Sequence, residues 1–288
     1  MEGAILDFEA LYEEERKGFL KKDFKGKRPR IEEQFREFWE YDNAEQDAKA
    51  YLRNDQAYAY PKRPKWVQGK TIFTNFNDRN KILAEDEDGE VLISSNHASF
   101  DIAQYPGNSS PAGMSMIHLL GLPKKSIYNG VSLEKDNVQV IDKIIDLFKS
   151  KWSDLDFRAR VVKHQLDAIE RQFKAADEKE KEKPEEETQK SRRLAKEGFD
   201  LAKLHHKELE ARIKDLDVDG FQFGLHLYPD HSISHFHMHI VAIHPGMRKY
   251  STSQHDEKTK DVGEVREAIM AFDRKTRTFD KTWVAKTG

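Results

Sequence analysis

The chain has 288 residues, 37% hydrophobic and 35% charged, and its 49 Lys and Arg against 52 Asp and Glu leave a net charge of −3. That length and apolar content suit one large domain or two small ones and exclude a disordered chain, while the near-cancelled charge excludes a simple, strongly basic nucleic-acid binder. With no cysteine in the sequence, disulfide scaffolds, thiolate zinc sites, iron–sulfur clusters and cysteine nucleophiles are excluded as well.

The opening MEGAILDFEALYEEERKG carries a short apolar patch and then acids, unlike a secretory leader. No apolar run approaches the roughly 18–20 residues of a membrane span. The expectation is an intracellular protein, cytoplasmic or nuclear, with no membrane partner. Residues 1–66 predict an N-terminal helical extension. Phe8, Leu11, Tyr12, Phe19 and Leu20 recur at helical spacing, Ile31, Phe35, Phe38 and Trp39 do so again, and the prolines of YPKRPKW (60–66) end the region.

From residue 67 a second, main domain is expected. EVLISSN (90–96) predicts a strand after the turn signal DEDG. Residues 96–113, rich in Gly, Pro, Ser and Asn, predict a loop, and MSMIHLLGLP (114–123) a second strand stopped by Pro123. A helix follows on the stripe Val138, Ile141, Ile144, Ile145 and Phe148, with an acidic first turn near Glu134 and Asp136.

Residues 155–216 predict an inserted antiparallel helical hairpin. Leu155, Val162, Leu166, Ile169, Phe173 and Ala176 make one stripe, and Leu194, Leu201, Leu209, Ile213 and Leu216 the other. Between them 12 of the 16 residues from 178 to 193 are charged, so the simplest picture is a protruding, solvated arm with its tip near Pro184. His164, His205 and His206 lie on this arm and are expected in solvent. GFQFGLHLYP and HFHMHIVAI then predict two strands joined by DHSIS, and Val262 to Phe272 a terminal helix followed by a short tail.

Six of the chain's 12 histidines fall between 226 and 244, and His235, His237 and His239 alternate with Phe236, Met238 and Ile240. Alternate residues of a strand share one face about 7 Å apart. The pattern therefore predicts three imidazoles in a row, backed by apolar side chains turned into the core. Polar groups crowded in this way need partners. Two chemistries suit them. A neutral imidazole can attack phosphorus while its neighbours donate to the phosphoryl oxygens and a protonated one releases the leaving group. Alternatively, His235, His237 and His239 can ligate a metal ion, with His226, His231 and His244 close by.

These residues resemble the histidine triad (HIT) family of nucleotide hydrolases and transferases. The family pattern His-φ-His-φ-His-φ-φ, with φ apolar, is met at all seven positions from His235 to Val241, and the upstream form H-x-L-V-I-P-K-K is similar to His118-Leu-Leu-Gly-Leu-Pro123-Lys124-Lys125. The resemblance covers roughly 82–150 and 219–272, and Gly121 departs from it by replacing an apolar residue. It implies an α+β fold, a HIT-like antiparallel sheet with flanking helices, here with the hairpin inserted and the helical extension added.

It further implies an enzyme acting at the α-phosphorus of a nucleotide conjugate such as a phosphoramidate, a dinucleoside polyphosphate or an adenylated adduct. His237 would be the nucleophile, His235 and His239 would orient it and share the protons, and His118 would back the triad. Ser232, His226 and Lys124 would lie near phosphate, and Asn96 and His97 near ribose. No cofactor is required for that chemistry. The spacing L-H-x-x-P…S-x-S-H is similar to the branch acting on adenylated DNA ends, which leaves nucleic acid open as a partner, and a homodimer is a further expectation because many relatives pair. A non-catalytic nucleotide-binding scaffold is the remaining alternative.

Overall fold

A computed structural model describes residues 2–21, 73, 81–108, 112–124, 127, 129–180, 185–228, 230–233 and 235–287. The expected helical segment around 31–39, the YPKRPKW stretch and the hairpin tip at Pro184 lie outside them. Among the described residues the fold is α+β, as expected: six helices and one six-stranded sheet, with strands paired antiparallel throughout.

Helix α1 (Glu2–Leu20) leads to β1 (Ile82–Glu85), β2 (Val91–Ser95) and β3 (His118–Pro123). Then come α2 (Val140–Trp152), the hairpin helices α3 (Leu155–Glu180) and α4 (Glu185–Arg212), β4 (Phe221–His226) and β5 (Met238–Ala242). Helix α5 (Ser253–Lys258), strand β6 (Thr259–Asp261) and helix α6 (Val262–Thr287) close the chain. The sheet order is β1-β2-β3-β5-β4-β6.

Period-two alternation assigns each sheet face its work. The face carrying Ile93, Leu119, Met238, Ile240 and Leu225 is buried in the main core against Ile141, Ile144 and Phe148 of α2, Tyr12 and Phe19 of α1, and Val265 and Ile269 of α6. Gly121 lies on this face. A β-carbon there would stand 2.1 Å from Ile144 Cγ2, so the departure from the apolar pattern is what lets α2 lie close to β3. The opposite face carries Leu92, Leu120 and Leu122 under the Phe73 ring, and beside them the histidines.

Several boundaries differ from expectation. The third strand starts at His118, not Met114, and α2 starts at Val140, so Glu134 and Asp136 precede it and Asp142 is the acid of its first turn. The expected C-terminal tail continues α6 to Thr287. Strand β6, with the sequence Thr-Lys-Asp, has no apolar pattern by which the sequence could announce it. Leu11, Leu20, Leu155 and Leu194 of the predicted stripes are exposed.

The hairpin is no free arm. Its lower half packs Ala168, Ile169 and Ala202 against Phe100, Ile102 and Tyr105 in a second apolar cluster. The histidines expected in solvent are accordingly buried. His206 Nε2 donates to Val162 O at 3.0 Å. His205 accepts at Nδ1 from the Lys249 ammonium (3.1 Å) and donates from Nε2 to Tyr250 Oη (2.9 Å).

Candidate functional site: a cluster of neutral imidazoles

Cross-strand register brings the separate histidines together. His118 of β3 pairs with Val241, Leu120 with His239, and Gly224 with His239, so β3, β5 and β4 present His118, His239 and His226 on one face. Only His239 lies within β5; His235 and His237 precede it. Yet the alternation persists there, because Phe236, Met238 and Ile240 are buried in the main core and the Phe236 amide donates to Ile127 O at 2.7 Å. The rings of His237 and His239 lie 4.9 Å apart, those of His226 and His239 4.0 Å, and those of His118 and His239 5.1 Å. The Phe73 ring covers this group, 5.1 Å from His237 and 5.7 Å from His235.

Burial decides the charge of these rings, because an imidazolium withdrawn from water loses its hydration. It pushes His237 down from 6.5 to about 4, His118 to about 3 and His226 to about 2, and holds His239 well below its ordinary value. Repulsion among the histidines and from Lys258 adds to the effect for His226 and His239. At neutral pH all four are neutral, and each carries one N–H and one lone pair.

Hydrogen bonds then fix where the proton sits on His237 and His226. His237 Nδ1 lies 2.7 Å from the carbonyl oxygen of His235. A carbonyl only accepts, so Nδ1 bears the hydrogen and Nε2 the lone pair. Thr259 donates its hydroxyl to His255 O, so its oxygen accepts from His226 Nε2 at 2.9 Å. His118 Nε2 meets His239 Nδ1 at 2.8 Å. Among the described residues His239 Nε2 has no hydrogen-bond partner. His235 Nε2 turns to the Pro123 carbonyl at 3.4 Å.

The other expected site residues are placed as follows. Asn96 sits with its amide nitrogen 3.1 Å from each ring nitrogen of His118, against the imidazole rather than free for a ribose. His97 pairs with Asp101 at 2.7 Å, a contact that the four-residue spacing on a loop did not suggest. Lys124 pairs with Glu85. Ser232 is exposed, and His244 is exposed and caps the turn at Pro245 through the Gly246 amide. Thr259 is the site residue that sequence reasoning missed, because only the pairing of β6 with β4 sets it opposite His226.

Among the described residues the donor atoms of the three triad histidines do not come close enough together to form a ligand set for a metal ion. Among the described residues one group of carboxylates or imidazoles has donor atoms close enough for a metal ion: Asp86, Asp88 and Glu90 in the β1–β2 turn. There Asp86 accepts the Glu90 and Val91 amides, and Glu90 pairs with Lys143, so the turn accounts for the cluster.

No protein-family model matches the chain, and neither a curated protein nor a solved structure matches it. No helix of the described residues is long and apolar enough to cross a membrane.

Proposed function

We propose that the protein is a nucleotidyl hydrolase or transferase of the histidine-triad kind, working through a covalent adduct on His237. The observation that carries this reading is the bond from His237 Nδ1–H to the His235 carbonyl at 2.7 Å. It leaves Nε2 as a lone pair on a buried neutral imidazole, which is the form that attacks phosphorus. The motif from His235 to Val241, with His118 set against His239, supports the same family reading.

In the proposed reaction His237 Nε2 attacks the α-phosphorus, and the bond from phosphorus to the leaving group breaks with its electron pair going to the leaving group. The adduct carries its positive charge on the His237 ring, where the His235 carbonyl faces Nδ1–H. His239 Nε2, next to it and unpartnered, suits a hydrogen bond to a phosphoryl oxygen. Water then attacks phosphorus, its hydroxyl joins the nucleotide, its proton leaves to solvent, and His237 returns with its lone pair.

The expected protonated histidine is absent from this scheme, because burial keeps all four rings neutral. A neutral imidazole is too weak an acid to protonate an amine leaving group. The reading therefore favours conjugates whose leaving group departs as a phosphate anion. The test is to incubate the full chain with a dinucleoside polyphosphate and with adenosine 5′-phosphoramidate, follow AMP release, and look by mass spectrometry for an acid-labile adenylyl group. Release from the polyphosphate, faster than from the phosphoramidate, with the adduct on His237 and both lost in His237→Ala, is expected. Release that survives His237→Ala would overturn the covalent step.

A further inference from the structure

A phosphate chain is held by positive charge, and four neutral imidazoles supply none. Several basic residues near them are turned to other work. Lys124 pairs with Glu85, Arg248 with Asp256 and Lys249 with Glu208, and Lys260 donates to Glu257 O at 2.9 Å. Lys258 is placed at the cluster itself. It ends α5, half-buried, directly before Thr259, and Thr259 is the β6 residue paired with His226 in the sheet.

Two contacts fix that place. The Thr259 oxygen lies 2.9 Å from His226 Nε2, and the His226 ring lies 4.0 Å from that of His239. The Thr259 hydroxyl also donates to His255 O, which ties the last turn of α5 to β6. Lys258 cannot stand far from these contacts, because consecutive α-carbons are about 3.8 Å apart. His255 and Lys258, three residues apart on α5, share one side of it. Their charges show which way that side faces. Lys258 opposes protonation of His118, His226, His237 and His239 alike, and His255 opposes that of His118 and His226. Among the described residues the charges bearing on the four rings are those of other histidines and of Lys258, with no carboxylate. Such surroundings favour an anion over a cation.

We infer that Lys258, set beside Thr259 at the edge of the histidine cluster, is a substrate-binding residue that holds the phosphate chain beyond the α-phosphorus. Its ammonium is a point charge on a flexible stem, suited to phosphate oxygens. When the bond from the α-phosphorus to the bridging oxygen breaks, the electron pair stays on that oxygen. Lys258 faces the new negative charge and keeps its own proton. An amine leaving group brings no such charge. As a substrate contact the assignment rests on the proposed attack by His237; the hold on a phosphate chain can be measured without it.

The test uses inorganic tripolyphosphate, a phosphate chain without a nucleoside, titrated calorimetrically into the full chain at neutral pH and low ionic strength. The wild type is expected to bind it, and Lys258→Met to bind it about tenfold more weakly or worse. Lys258→Arg, which keeps the charge, should stay near wild type. So should Lys260→Met, which removes the same charge two residues along β6. In the AMP-release assay Lys258→Met should lower kcat/KM for the dinucleoside polyphosphate by about tenfold or more, while release from adenosine 5′-phosphoramidate hardly changes. No binding by the wild type, undiminished binding in a folded Lys258→Met protein, or an equal loss in Lys260→Met would overturn the inference. Tripolyphosphate binding lost as described, in a protein whose wild type releases no AMP from either substrate, would leave the phosphate-chain site standing and remove the proposed function instead.

Discussion

At the scale of single residues, four neutral buried imidazoles are a liability in acid. An unfolded histidine takes up its proton near 6.5, whereas the folded His237 resists until about 4, His118 until about 3 and His226 until about 2, and His239 also lies well below its ordinary value. Between those values the unfolded chain binds more protons than the folded one, so folding stability is intact above 6.5 and falls as the pH drops below it. Each group contributes about 1.4 kcal/mol per pH unit in that window. The urea midpoint is therefore expected to fall steeply from pH 7 to pH 5, with unfolding at pH 5 taking up protons. His226→Gln should flatten the slope by about one proton; an unchanged slope would show that His226 is not buried as a neutral base. That His237 and His239 would lie side by side was legible in the alternation from His235 to Ile240, whereas His118 and His226 join them only through the pairing of β3 and β4 with β5. Their protonation was not, because it depends on burial that Phe73 and the neighbouring strands supply together.

At the scale of elements, the strand and helix periodicities announced β2, β3, β5 and α2 to within a few residues, since one wet and one dry face leave a pattern in the sequence. Their ends were less legible. Nothing local distinguishes Met114 from His118 as a strand start; the partner residues on β5 end at Val241, opposite His118. Gly121 is the element-level feature with the sharpest consequence, because α2 packs against the hydrogen atom of that residue. Gly121→Ala is expected to cost about 1–3 kcal/mol by pushing Ile144 and α2 away from β3. In the double variant Gly121→Ala/Ile144→Ala the two losses should sum to more than the measured loss, as contacting residues do. Denaturation of the two single variants and the double one measures this, and strict additivity would mean that the two side chains do not compete for one space.

At the scale of the whole molecule, the hairpin joins the loop at 96–107 to the rest of the fold through a cluster of its own. The charge run at its tip suggested an arm in solvent, and the tip's composition outweighed the small apolar residues lower down. Ala168, Ile169 and Ala202 are too few to advertise a docking face, but they are the residues that close on Phe100 and Ile102. Ile169→Ala should cost about 2–4 kcal/mol locally. Amide exchange in residues 98–105 should accelerate while β2 and β3 keep their protection. Equal acceleration across the sheet would mean that the hairpin and the sheet open as one unit.

By itself the sequence determined which residues would share a face: the histidines with one another, the intervening apolar residues with α2. Strand and helix geometry are local, and a period of two or of 3.6 is written in neighbouring residues. The tertiary structure alone decided what those histidines are chemically. The Asn96 amide that lies against His118 comes from a loop 22 residues away in sequence, and His118 meets His239 from 121 residues away on another strand. An imidazole's proton goes to the nitrogen that faces no other donor. Which nitrogen that is depends on groups such as Thr259, which meets His226 only when the sheet pairs.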